Sequence, residues 1–129
     1  MIVKNQDAVL EIMRKSNRVG IIGYPGAGKT TLSLKSGGKP VVHTDDYLKT
    51  SHEDRPMKIM ADLASMGSFV VEGNEVTRLV NRGLSLDALI MVVGTDRHDK
   101  SVKGLQGRVD KFIDEYDGKI PIYVVHPRE

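Results

Sequence analysis

Cysteine is absent from the 129-residue chain. That excludes disulfides, thiolate zinc sites and cysteine nucleophiles, and it is compatible with a reducing compartment such as the cytoplasm. No long apolar run is present either: the longest, Ala88 to Val93, falls far short of the ~20 residues that span a bilayer, so no membrane partner is expected. Neither sign of charge dominates. With a formal net charge of +2 and acids and bases mixed along the chain, no basic field marks a nucleic-acid partner. The opening stretch, Met1 to Lys15, carries acid and base on a helical pattern and does not read as a signal peptide. Internal repeats, low-complexity segments and linkers are lacking, and the length fits a single domain over residues 1–129, expected to be cytoplasmic.

What is present is an alternation of two patterns. Five short, nearly continuous apolar segments rich in β-branched residues read as strands buried on both faces: Arg18 to Ile22, Pro40 to His43, Ser68 to Glu72, Ala88 to Val93 and Ile120 to Val125. Helical patterns surround them. Val9, Ile12 and Met13 share a face of an opening helix, with Asn5 or Asp7 at its start and Arg14 and Lys15 at its end, matching the dipole. Ile59, Leu63 and Met66 form a second stripe, with Pro56 in its first turn and Gly67 as its left-handed stop. A third helix is expected from Asn74 to Arg82, stopped by Gly83. The last, Asp99 to Tyr116, aligns Val102, Leu105, Val109, Phe112 and Tyr116, and Gly104 and Gly107 weaken it by about 1 kcal/mol each relative to alanine. Strands alternating with helices imply an α/β domain with a mostly parallel sheet.

Gly23-Tyr24-Pro25-Gly26-Ala27-Gly28-Lys29-Thr30 fills every fixed position of the Walker A template and sits between the first strand and a helical segment. Glycines at 23, 26 and 28 let the backbone curl so that its N–H groups cradle phosphate oxygens at a helix N-terminus. Tyr24, Pro25 and Ala27 complete the loop. Lys29 then reaches the β- and γ-phosphates, the Thr30 hydroxyl ligates the bridging Mg²⁺, and Thr31 is a reserve hydroxyl. The expected ligand is ATP or GTP with Mg²⁺.

In an open α/β sheet, ligands gather beyond the carboxyl ends of the strands. The second strand is followed there by His43-Thr44-Asp45-Asp46-Tyr47-Leu48. One of the two carboxylates can accept the proton of an attacking hydroxyl, with Tyr47 beside the acceptor; the alternative is a helix N-cap. Strand periodicity sends neighbouring side chains to opposite faces, so one of Asp45 and Asp46 faces the phosphate while the other turns toward metal or packing. Glu72, ending the third strand before Gly73, holds Mg²⁺ or the substrate, or is simply solvated. Arg78 and Arg82, four apart on a helix, either bind an acceptor's phosphate or carboxylate or are surface cations balanced by Glu75. Arg97, His98, Lys100, Lys103 and Arg108 fall on the glycine-interrupted segment. They form either a short lid at residues 96–108, with Arg97 and Arg108 stabilising charge, or a solvated helix face. His98 and His126 have no ligand-like spacing.

With these motifs in this order, the chain resembles the P-loop kinases of small hydroxyl compounds. Val42 to Lys49 is similar to the matching stretch of nicotinamide riboside kinase, uridine kinase and bacterial pantothenate kinase. The resemblance implies a three-layer P-loop sandwich with five strands in the order 2-3-1-4-5, and it makes Asp45 the base. Zeta toxins are similar at Gly23 to Thr30 and at Val70 to Gly73 with a following Arg78. Polynucleotide kinases share the Gly-x-Pro-Gly-x-Gly-Lys loop and an Asp-Asp near the second strand, but the small net charge disfavours that substrate. The stretch from Asp46 to Phe69 is shorter than the family's acceptor-binding insertion, and only four residues follow Val125. Both differences leave room for a second copy or a partner chain to complete the site. The expected activity is ATP-dependent transfer of a phosphoryl group to a small-molecule hydroxyl; the alternative is a minimal nucleotide-binding module with slow hydrolysis.

Overall fold

The apolar segments pair side by side into one sheet in a computed structural model that describes residues 2–23, 32, 34–35, 38–92, 111–112 and 120–125. In chain order the elements are β1 (Ile2–Val3), α1 (Gln6–Lys15), β2 (Arg18–Gly23), β3 (Val41–His43), a 3₁₀ turn (Thr44–Tyr47), α2 (Arg55–Ala64), β4 (Phe69–Glu72), α3 (Val76–Asn81), β5 (Ala88–Val92) and β6 (Ile122–Val125). The sheet order is β1-β6-β5-β2-β4-β3, and every pairing is parallel. The five strands expected from the sequence thus lie in the expected order. A sixth, β1, adds to the β6 edge by pairing Ile2 with Tyr123 and Val3 with Val124. Two residues are too few to display a period, which is why the sequence alone does not announce this strand.

Side-chain alternation divides the core into two layers. Ile22, Val42, Val71, Leu89, Met91 and Ile122 project to the face covered by α2, α3 and Phe112. Val19, Ile21, Val70, Ile90, Val92 and Val125 project to the other face, where Val9 and Met13 of α1 and Leu32 pack. Helical segments therefore cover both sides of the parallel sheet, as its apolar strands require.

Local chemistry sets the helix limits. The Asn5 side chain accepts the Ala8 N–H at 2.8 Å and starts α1, while Lys39 donates to the Met13 carbonyl at 2.7 Å and the Arg14 carbonyl at 3.1 Å, covering its end. Pro56 occupies the first turn of α2, as expected. Gly67 is not its left-handed stop, because its φ is not positive. The end of α2 is instead closed by Met66 N–H to Leu63 O at 2.9 Å and by the Ser65 hydroxyl to Asp62 O at 2.8 Å, so no left-handed residue is needed. Helix α3 does end on Gly83, with φ 97°. Gly83 N–H bonds Val80 O and Leu84 N–H bonds Leu79 O, both at 3.0 Å, the paired closure of a Schellman motif. Its first hydrogen-bonded residue is Val76, two beyond the expected Asn74. Of the expected helix at 99–116 only Lys111 and Phe112 are described; both are helical, and Phe112 is buried.

Candidate active site at the carboxyl edge of the sheet

Parallel pairing brings the C-terminal ends of β2, β3 and β4 to one edge. Gly23, the last residue of β2, lies opposite Val92, and a Cβ on Gly23 would collide with the Val92 carbonyl oxygen. Only glycine leaves the strand at that point without displacing its neighbour. Residues 24–31, which include Tyr24, Pro25, Gly26, Ala27, Gly28, Lys29, Thr30 and Thr31, lie outside the described residues, as do the segment 96–108 with Arg97 and Arg108, and His126. The chain is described again at Leu32, which is 1% exposed in the layer shared with α1.

Glu72 ends β4 one strand away, opposite both Ile21 and His43. It is 4% exposed. Alternation from Val70 carries it to the face on which Leu32 packs. His43 Nδ1 lies 2.7 Å from Glu72 Oε1. With Glu72 ionised the carboxylate only accepts, so the contact places the proton on Nδ1. A buried carboxylate is thereby held in one orientation by a neighbouring strand. Nothing local to the His43 or Glu72 segment signals this pair; it becomes visible once β3 and β4 are known to be parallel neighbours that end together.

Gly73 follows with φ 128°, and a Cβ there would run into the Thr44 hydroxyl oxygen. Thr44 is 1% exposed and its Oγ1 has no hydrogen-bond partner. Asp45 and Asp46 do not continue the strand. They sit in the 3₁₀ turn and are exposed, so the strand-period argument that separates them onto opposite faces does not apply: successive residues of a 3₁₀ turn project about 120° apart. Neither aspartate side chain caps that turn, whose N-cap residue is His43 without a side-chain bond.

The turn is anchored from below. The Tyr47 hydroxyl donates to Asp62 Oδ2 at 2.6 Å. Burial, then the hydrogen bond and charge of Asp62, and lastly the charge of Asp46 push the Tyr47 phenol up to about 12. The same bond holds the Asp62 carboxyl below its ordinary range. Arg55 donates to the Tyr47 and Thr50 carbonyls, each at 3.2 Å, and to Glu75 Oε1 at 2.9 Å. Arg78 donates to the other Glu75 oxygen at 2.7 Å and to the His52 carbonyl at 2.8 Å. Glu75, 7% exposed, is therefore shared by two guanidinium groups. Arg78 also lines an open cleft of ≈ 350 Å³ beside α3, whereas Arg82, the exposed residue just past Asn81 that caps α3, does not.

No family model matches the chain, and no curated protein matches it in sequence. Among the described residues, no three His, Asp or Glu side chains gather as a metal cluster, and no helix is long and apolar enough to cross a membrane.

Proposed function

We propose that the chain is a P-loop phosphotransferase that moves the γ-phosphoryl group of ATP to the hydroxyl of a small molecule. The observation that carries this reading is the placement of Glu72. It is a buried carboxylate at the end of the strand beside β2, and β2 leads through Gly23 directly into the Walker A residues. That is where a metal-bridged polyphosphate held by the loop requires a carboxylate.

Lys29 would hold the terminal phosphates, and Thr30 and Glu72 would hold Mg²⁺, which supplies charge neutralisation there. Among the described residues, only His43 and Glu72 pair as donors nearby, which fits a metal completed by phosphate oxygens better than an all-protein metal site. His43 orients Glu72. Asp45, exposed on the anchored turn, would take the proton of the acceptor hydroxyl. The hydroxyl oxygen forms the new bond to phosphorus as the bond to the β-phosphate oxygen breaks, leaving ADP and a phosphate ester. Only the 3₁₀ turn and α2 intervene between β3 and β4, and this short connection favours the second reading, a nucleotide-binding module with slow hydrolysis.

Acceptor-dependent ADP release, measured with Mg-ATP and a panel of nucleosides, vitamins and sugar nucleotides, tests the proposal. An acceptor is expected to stimulate release. Asp45→Asn is expected to slow that release on the order of 10²-fold while leaving nucleotide affinity intact. Release that no acceptor stimulates supports the binding module, and an Asp45→Asn enzyme at the wild-type rate moves the base to Asp46 or Glu72.

A further inference from the structure

The cleft beside α3 begins two residues after Glu72, where Asn74 joins its lining. Its volume, ≈ 350 Å³, is at the small end of the range for metabolite sites. Thr77 and Phe112, both buried, form its inner wall, and Arg78, Asn81, Lys111 and His52 stand around it. Among the described residues, no carboxylate lines it.

The charge balance behind the cleft is what gives it chemical character. Arg55, Glu75 and Arg78 together carry two positive charges and one negative, so the triad retains a net +1. Lys111 adds a second positive charge at the rim, with no ion pair among the described residues. Arg78 is also held in place before any ligand arrives. Glu75 fixes its guanidinium from one side, while the His52 carbonyl and His52 Nδ1, the latter at 3.2 Å, fix it from another. Because arginine can only donate, His52 Nδ1 accepts, which turns the proton-bearing Nε2 away from Arg78 as a further donor. A guanidinium clamped in this way loses little freedom when it meets an anion.

We infer that this cleft binds the anionic end, phosphate or carboxylate, of a small polyhydroxylated compound. This rests on the phosphotransferase reading for its role, since it makes the phosphate acceptor an anion-bearing polyol rather than a neutral one. Asn81 and Thr77 supply donors and acceptors for hydroxyl groups next to the anion, and the ring of Phe112 closes the apolar side.

The test is carried out on nucleotide-free protein, so it can be read whether or not the chain transfers phosphate. Ribose 5-phosphate, gluconate and ribose are titrated while backbone amide signals of Thr77, Asn81 and Lys111 are followed by NMR. Each titration is repeated with Lys29→Ala, which removes the lysine expected to bind phosphate in the Walker A loop. Ribose 5-phosphate or gluconate is expected to shift the cleft signals in both proteins, and the stronger of the two identifies the preferred anion. Ribose is expected to shift them far less. Lys111→Gln, an exposed change that breaks no ion pair among the described residues, is expected to weaken the anion about fivefold, the scale of one exposed charge pair. Arg78→Lys keeps the charge but loses the fork, and it is expected to weaken the anion at least as much. Equal shifts from ribose and the two anions overturn the proposal, as does loss of the cleft shifts in Lys29→Ala or unchanged affinity in Lys111→Gln. Mg-ATP binding with no anion effect at the cleft leaves the phosphotransferase reading standing and removes this one alone.

Discussion

Replacing Gly73 with alanine puts a methyl group where Thr44 already is. The new Cβ would overlap Thr44 Oγ1 and approach Thr44 Cβ to 3.2 Å, in a residue that is 1% exposed and has no room to retreat. Two costs combine. Holding a non-glycine residue at φ 128° costs about 1–3 kcal/mol, and forcing Thr44 aside costs about 1–3 kcal/mol more, so the loss should be roughly 2–6 kcal/mol. Against a typical total of about 5–15 kcal/mol this is a large fraction, and at a urea slope near 2 kcal/mol per molar it lowers the midpoint by about 1 M or more. The steric part can be isolated. Thr44→Ala removes the colliding oxygen, and that oxygen has no hydrogen bond to lose. Added to Gly73→Ala, it should restore about 0.5–3 kcal/mol relative to additivity. Thr44→Ser keeps an oxygen in the same position and should restore much less. Urea unfolding of the six proteins, wild type, the three single variants and the two double variants, decides the matter. A Gly73→Ala midpoint equal to wild type, or equal rescue by serine and alanine, refutes the argument.

Two further perturbations probe the support beneath the Asp45-Asp46 turn. Arg55→Met should cost about 3 kcal/mol in chemical denaturation, the lower end of the about 3–5 kcal/mol for breaking a buried pair, because Arg78 still holds the other Glu75 oxygen. A loss below about 1 kcal/mol would mean that the Arg55 bonds to Tyr47 and Thr50 do not form in solution. Absorbance titration of wild type minus Tyr47→Phe should show the Tyr47 phenol ionising near about 12 instead of 10. Since the folded value is raised, the stability tied to the neutral phenol is complete below pH 10 and is lost as pH climbs through about 12. Asp62→Ala should lower the value but keep it above 10, because burial is the largest cause. A drop to 10 would make the aspartate, not burial, the source.

The parts of the fold that the sequence discloses are those fixed by neighbours in the chain. Continuous β-branched runs specify the five principal strands, Asn5 and Pro56 specify helix starts, and Gly83 specifies the end of α3. Gly67 misleads because a glycine after a helix is only permitted, not obliged, to turn left-handed, and here Met66 and Ser65 close the helix first. The Asp45-Asp46 segment misleads for a related reason. Strand periodicity ends at His43, and the residues beyond it take a conformation set by what lies under them: Tyr47 on Asp62 and Arg55 on two loop carbonyls.

Arg55 shows that even a long-range partner can leave a trace in the sequence. A cation in the first turn of α2 has the wrong sign for the helix dipole, which favours acids there. With Pro56 next to it confirming the helix start, such a residue asks for an external anion. Glu75, the N-cap residue of α3, is a carboxylate at 7% exposure, where an isolated charge is too costly to leave unpaired. Arg55 is unfavourable where it stands and Glu75 is costly to bury alone, and the bond between them ties the α2 start to the α3 start. The same contact carries Arg55 to the Tyr47 carbonyl. The orientation of the Asp45-Asp46 turn, which the proposed chemistry needs, is thus set by a charge pair 20 residues apart in sequence.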